Sequence, residues 1–122
     1  MQTTLALIAH DHRKKEMVSF CMKYHQHLMR LSLIATGATG ARLAEATGLP
    51  VECVLPGAAG GDLQIAARVA TGEVQGVIFL MDAWKQAAHD PDVQPLIRVC
   101  TTQNIPLALN LATAEMLIRH LS

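Results

Sequence analysis

Asp62 is a candidate general base. It follows Gly60 and Gly61 at the point where a helical pattern begins. Glycines let a ligand approach the backbone closely, and a general base must lie within hydrogen-bonding reach of the proton it removes. An aspartate at the start of a helix is also a common N-cap, so a purely structural role for Asp62 stays open.

A second motif, TGATG at residues 36–40, has the composition of an anion site. It lies between an apolar run and a helical pattern, where backbone amides, hydroxyls and the positive end of a helix dipole can meet. It has neither the Gly-Lys-Ser/Thr of a Walker A loop nor the spacing of a dinucleotide fingerprint. Lys14, one helical turn past Asp11, could add a cation. Both features also have a purely structural explanation. Residues 36–40 could form a tight turn with a capping threonine, and Lys14 could be a solvated helix residue.

The third motif is His89-Asp90-Pro91-Asp92. An imidazole at His89 could polarise a carbonyl oxygen or return a proton, and Asp92 could orient that imidazole. The same residues read as a helix start, with Pro91 in the first helical position and Asp90 as the cap. Asp82, at the end of the preceding apolar run, could add a further carboxylate.

Histidines are numerous enough that a metal site has to be considered. The chain has six, among them the pairs His10/His12 and His25/His27, each two residues apart. No cysteine or third histidine lies at the spacing that zinc sites use. We therefore expect no bound metal.

The elements that would position these motifs alternate between strand and helix. Five apolar runs predict strands: Thr4 to Ala9, Leu31 to Ala35, Val51 to Leu55, Gly76 to Met81 and Pro106 to Leu109. Helical patterns between them are Met17 to Tyr24, Leu43 to Ala46, Leu63 to Ala70, Val93 to Thr102 and Ala112 to Leu121. Mostly continuous apolar strands alternating with helices favour a parallel sheet covered on both faces. The motifs would then share one edge of the sheet, where ligands bind in such folds.

Length and composition narrow the class of protein further. The 122 residues suit one domain, and 51% of them are hydrophobic. Ten basic and ten acidic residues give zero formal charge, which argues against non-specific nucleic-acid binding. The three cysteines are scattered, and no apolar run is long enough to cross a membrane. We expect a cytoplasmic protein.

Taken together, the motifs resemble the methylglyoxal synthase family. They are His10-Asp11-His12 with Lys14, Thr36-Gly37-x-Thr39-Gly40, Gly57-x-x-Gly60-Gly61-Asp62 and His89-Asp90-Pro91-Asp92-Val93. Their order and spacing agree with the family from Leu5 to about Ile118. The resemblance implies a single α/β domain over residues 1–122: a three-layer sandwich with a five-stranded, mostly parallel sheet and helices on both faces.

The resemblance also implies a reaction. The family converts dihydroxyacetone phosphate to methylglyoxal and inorganic phosphate by proton abstraction and β-elimination through an enediolate phosphate. It uses no metal or organic cofactor and assembles as homo-oligomers, commonly hexamers. From the balanced charge and the short apolar runs we expect neither nucleic acid nor a membrane as a partner.

Carried over by position, the family's site residues fall into three groups. The catalytic group would be Asp62 as general base, His89 at the reacting oxygens and Asp92 as its support. Phosphate and substrate contacts would come from His10, Lys14, Thr36, Gly37, Ala38, Thr39, Pro56 and Gly57. Asp11 and Asp82 would be supporting carboxylates.

The chain departs from the family pattern at three places. Ala38 and Pro56 stand where the family usually has a threonine and a serine, and Asp82-Ala83-Trp84 replaces Asp-Pro-Leu. We expect weaker phosphate affinity from the two lost hydroxyls. A non-catalytic phosphometabolite-binding module is the alternative function, since the same fold resembles the allosteric domain of carbamoyl-phosphate synthetase. A phosphosugar isomerase would share the base yet release no phosphate.

Overall fold

A single five-stranded parallel sheet forms the centre of the protein. The computed structural model describes residues 2–84, 87 and 90–121. Its strands are β1 (Thr4–Ala9), β2 (Ser32–Ala35), β3 (Glu52–Cys53), β4 (Gly76–Leu80) and β5 (Leu107–Ala108). They are arranged β3-β2-β1-β4-β5, and every neighbouring pair is parallel. The predicted strands are confirmed, with the two edge strands shorter than their apolar runs.

Helices cover both faces of this sheet, which confirms the three-layer sandwich. They are α1 (Lys14–Lys23), α2 (His25–Leu28), α3 (Gly37–Thr47), α4 (Gly61–Ala70), α5 (Gln94–Gln103) and α6 (Leu111–Leu121). None of the helices in the described ranges is long and apolar enough to span a membrane. Short 3-10 turns, Asp11–Arg13 and Gly57–Ala59, precede α1 and α4.

The core has two halves because strand residues alternate between the faces of the sheet. Leu5 and Leu7 pack with α1, α2, α3 and α6, whereas Ala6 and Ile8 pack with α4 and α5. Every residue of β4 is buried as well. Burial on both faces explains why the central strands are continuously apolar instead of alternating.

Two predicted helix starts need correction. The helix predicted over Leu43 to Ala46 begins earlier, at Gly37, and runs to Thr47. The helix start predicted at Asp90-Pro91 is wrong, because α5 begins at Gln94. The carboxylate of Asp90 does not cap α5, since it accepts hydrogen bonds from backbone N–H groups elsewhere.

The order of the strands fixes where a site can form. From β1 the chain moves outward to β2 and β3, then returns to place β4 and β5 on the other side. The direction reverses between β1 and β4, and ligands of such sheets bind beyond the carboxyl ends of the strands at this point. His10 lies there, with its backbone N–H bonded to the carbonyl oxygen of Leu80 at 3.0 Å.

Candidate active site

The loop between β2 and α3 forms an uncapped helix start with buried hydroxyls. Thr36 is the N-cap residue of α3, yet its side chain makes no capping hydrogen bond. Thr36 and Thr39 are both buried. Within the described part of the chain, Oγ1 of Thr39 has no hydrogen-bond partner. A buried hydroxyl without a partner is unfavourable, which makes Thr39 an unusual residue of this helix start.

The loop between β3 and α4 packs directly against this helix start. A Cβ at Gly61 would overlap the carbonyl oxygen of Leu55 and lie 3.1 Å from Cγ2 of Thr36. A Cβ at Gly37 would lie 3.2 Å from the backbone nitrogen of Pro56. Glycine is therefore required for this close approach, and it brings Thr36, Pro56 and the start of α4 together.

Asp62 lies in the first turn of α4, as predicted, and its carboxylate is buried there. Its Oδ2 accepts a hydrogen bond from the backbone N–H of Asp92 at 2.8 Å. Asp62 itself is only 6% exposed. The N-cap alternative is wrong, because Gly60 occupies that position in a left-handed conformation with φ of 100°.

His10 joins the end of β1 to the segment after β4. Its Nδ1 accepts the backbone N–H of Asp82, and its Nε2 lies 3.0 Å from the carbonyl oxygen of Pro91. Because Nδ1 is an acceptor, Nε2 is the nitrogen that donates to this carbonyl oxygen. The ring also meets Phe79 edge-on, with centroids 5.1 Å apart. The predicted substrate contact of His10 is not tested by this arrangement, but both ring nitrogens already have partners.

The start of α1 contributes two cations to the same edge of the sheet. Nζ of Lys14 lies 3.1 Å from Oδ1 of Asp11, and the lysine side chain is 12% exposed. Nε of Arg13 donates to the carbonyl oxygen of Met81 at 3.2 Å. An ion pair with Glu16 raises the pKa of Arg13 and keeps it charged. The prediction did not include Arg13, although its spacing of three residues from Glu16 indicates such a pair.

The acidic residues after β4 mostly bind backbone groups. Asp82 Oδ1 accepts the N–H of Trp84, and Asp92 Oδ1 accepts that of Gln94, each at 3.0 Å. Asp90 accepts from two N–H groups, those of Asp11 at 2.8 Å and Ala87 at 2.7 Å. His89 lies outside the described residues, so the predicted contact between His89 and Asp92 stays a prediction.

These contacts bring most of the predicted site residues to one place. Pro91 contacts Gly57, where an added Cβ would lie 2.9 Å from its ring, and also bonds to His10. Asp92 bonds to Asp62, whose neighbour Gly61 contacts Thr36. The loops after β1, β2, β3 and β4 are thus linked by direct contacts. The residues described hold no group of three or more side chains able to bind a metal ion.

Comparison with known proteins agrees with this arrangement. Residues 16–109 match the family described as MGS-like domain. Methylglyoxal synthase from Thermus thermophilus is 59% identical over 114 residues, which cover 93% of this chain and 90% of the relative. The enzyme from Ralstonia nicotianae is 49% identical over 93% of this chain and 84% of its own length.

A solved structure of a methylglyoxal synthase has the same fold as this chain. The crystal structure of methylglyoxal synthase from Elizabethkingia anophelis superposes with a TM-score of 0.93 at 38% identity. The alignment covers 96% of this chain and 77% of that one. The chain therefore belongs to the MGS-like family and, within it, to the methylglyoxal synthases, which are lyases.

Proposed function

We propose that this site converts dihydroxyacetone phosphate to methylglyoxal and inorganic phosphate. The observation that carries the proposal is a buried carboxylate, that of Asp62, beside a cradle suited to an anion, formed by residues 36–40 and 56–61. Asp62 follows Gly61, and Gly61 packs against Thr36 at the start of α3, where the hydroxyl of Thr39 has no partner in the described chain. A triose phosphate has an anionic phosphate at one end and an acidic C–H group at the other. The cradle matches the phosphate, and the carboxylate of Asp62 matches the C–H group.

The cradle would hold the phosphate group. Backbone amides in the first turn of α3, the hydroxyls of Thr36 and Thr39, and the dipole of an eleven-residue helix all favour an anion there. Ala38 and Pro56 offer only their backbones. Gly57 completes the turn, and Lys14 would supply a positive charge.

Asp62 would remove a proton from C3 of the substrate. The N–H of Asp92 bonds to Oδ2 and orients the carboxylate, so that the second oxygen is available to accept the proton. The electrons move to the carbonyl oxygen and form an enediolate phosphate, whose negative charge His89 would stabilise. Cleavage of the C–O bond then releases phosphate, and the enol product tautomerises to methylglyoxal.

The remaining predicted residues would act around this reaction. Asp92 would support His89, and Asp11 and Asp82 would be auxiliary carboxylates. His10 would contact the substrate only by giving up one of its two bonds to backbone groups. No metal or organic cofactor is required by this scheme.

We further propose a homo-oligomer, a hexamer, in the cytoplasm. Large apolar side chains are exposed on the single chain, which favours association: Met22, Met29, Leu55, Leu63, Trp84 and Met116. The three cysteines are unpaired, as expected for a reducing compartment. Light scattering of the purified protein would give six times the chain mass, and a monomer would contradict the proposal.

The decisive experiment incubates the purified protein with dihydroxyacetone phosphate and measures methylglyoxal and phosphate. We expect Asp62→Asn to lower kcat at least about a hundredfold, because general bases contribute that much or more. Asparagine keeps an oxygen that can accept the N–H of Asp92, so the fold should persist. Glu73→Gln, which neutralises a carboxylate in an exposed turn, is the matched control.

The products separate this function from its competitors. Wild-type turnover by Asp62→Asn would show that Asp62 is not the base. Binding of the substrate without any product would identify a binding module. Formation of glyceraldehyde 3-phosphate without phosphate release would identify an isomerase.

A further inference from the structure

The carboxylate of Asp90 connects two segments that are far apart in the chain. Its Oδ1 accepts the backbone N–H of Asp11 at 2.8 Å, across 79 positions of sequence. Its Oδ2 accepts the N–H of Ala87 at 2.7 Å. The N–H of Asp90 in turn donates to the carbonyl oxygen of Ala87 at 3.0 Å, so these two residues are bonded in both directions. Hydrogen bonds to an ionised carboxylate are stronger than bonds between neutral groups.

The two residues after Asp90 are attached to other parts of the site. The carbonyl oxygen of Pro91 bonds to His10, and its ring packs on Gly57. The N–H of Asp92 bonds to Oδ2 of Asp62. A displacement of Asp90 would therefore be passed directly to the partner that orients the proposed base. In the sequence, His89 immediately precedes Asp90.

We infer that Asp90 is a positioning residue for the reaction, an inference that rests on the proposed function. Asp90 holds the segment after β4 against the start of the Asp11–Arg13 turn. In this way it fixes the N–H of Asp92 on the base. It does not contact substrate and transfers no proton.

The effect of Asp90 should fall on kcat and leave substrate affinity nearly unchanged. The proposed phosphate contacts at Thr36 and Thr39 lie at the start of α3, which close packing at Gly37 and Gly61 holds in place. The hydrogen bonds of the Asp90 carboxylate go to Asp11 and Ala87 and involve neither threonine. A displacement of about 1 Å of a catalytic group can lower the rate a hundredfold even when binding is retained.

The test is a graded pair of variants, Asp90→Asn and Asp90→Ala. Asparagine keeps one oxygen and so one of the two bonds, whereas alanine keeps neither. We expect kcat to fall about tenfold in the first variant and about a hundredfold in the second, with KM changing less than about threefold. Both limbs of the pH–rate profile should remain. Glu73→Gln, which removes the charge of an acceptor in an exposed turn, should leave kcat unchanged.

A second measurement reports on the bonds without using turnover. Amide hydrogen exchange of Asp11 and Ala87 should accelerate in Asp90→Ala, and less so in Asp90→Asn. Circular dichroism confirms that each variant is folded before its kinetics are measured. A folded Asp90→Asn variant suffices for the test if the alanine variant does not fold.

Each other outcome overturns the inference in a recognisable way. An unchanged kcat in both variants would show that Asp90 positions nothing that matters to the reaction. A rise in KM with kcat intact would assign Asp90 to binding, and loss of a pH limb would make it an acid or base. A wild-type protein that releases no methylglyoxal would overturn the proposed function itself, and this inference with it.

Discussion

The two halves of the site are held together by different kinds of interaction. The cradle, residues 36–40 and 56–61, is assembled by close packing against backbone at Gly37 and Gly61 and against the side chains of Ala35 and Cys53 at Gly40. The β4 segment, residues 81–84, 87 and 90–92, is attached by side-chain hydrogen bonds. Those bonds are made by the side chains of His10, Arg13, Asp62 and Asp90.

Because the interactions differ, the two halves of the site should be sensitive to different kinds of substitution. A cradle made of backbone tolerates changes in its outward side chains, such as alanine at position 38 and proline at position 56, as long as its glycines remain. The β4 segment depends on a few polar groups, and replacing one of them by an apolar residue of similar size leaves its partners unpaired. Steric changes should therefore damage the cradle, and polar changes the β4 segment.

The largest effect is expected from Gly61→Ala, which tests the steric half. The new Cβ would overlap the carbonyl oxygen of Leu55 and lie 2.8 Å from its carbonyl carbon, and backbone cannot move aside like a flexible side chain. Alanine gains about 1 kcal/mol of helix propensity over glycine, but the overlap outweighs it. We expect a loss of about 3 kcal/mol in the free energy of unfolding, measured by urea denaturation.

The matched control is Gly48→Ala. Gly48 ends α3 in a left-handed conformation, with φ of 72°, and no atom of the described residues lies within 4 Å of the added Cβ. Only the conformational penalty applies there, about 1 kcal/mol. Equal losses in the two variants would show that close packing does not hold the cradle together.

The next effect is expected from His10→Phe, which tests the polar half. Phenylalanine can keep the edge-on contact with Phe79 but bonds neither the N–H of Asp82 nor the carbonyl oxygen of Pro91. Leaving these groups unpaired should lower the free energy of unfolding by about 2 kcal/mol. We also expect kcat to fall about tenfold, because the β4 segment loses its anchor.

His25→Phe is the control, since His25 also bonds a backbone carbonyl, that of Thr47, but away from the site. It should reduce stability slightly and leave kcat intact. If His10→Phe instead raises KM and leaves kcat unchanged, His10 contacts the substrate as the family resemblance implies. The hydrogen bonds of His10 would then matter less for holding the β4 segment than we infer.

The same difference explains which features could be predicted from the sequence. Buried strands are continuous apolar runs, and parallel strands bring their following loops to one edge, so β1, β4 and the place of Asp62 were predictable. Glycine-rich loops also indicate close backbone approach. The fold and the cradle therefore follow from local pattern and general topology.

The polar half could not be predicted in the same way. His10 and Pro91 are 81 positions apart, and no local pattern indicates which backbone group a histidine or aspartate will bind. Asp90 beside Pro91 has the local pattern of a helix start, and this prediction was wrong. The carboxylate of Asp90 instead accepts hydrogen bonds from the N–H groups of Asp11 and Ala87, and α5 begins only at Gln94.

The smallest effect is expected from Ala38→Thr, which adds a side-chain donor to a cradle made of backbone. Ala38 is exposed in the first turn of α3, where a hydroxyl could reach a bound phosphate. One such hydrogen bond is worth about 1 kcal/mol, so the KM and the dissociation constant for inorganic phosphate, the product, should each fall about fivefold. Ala44→Thr, an exposed position farther along the same helix, should change neither. Equal values for wild type and Ala38→Thr would mean that position 38 does not face the phosphate, and that the missing hydroxyl never weakened the cradle.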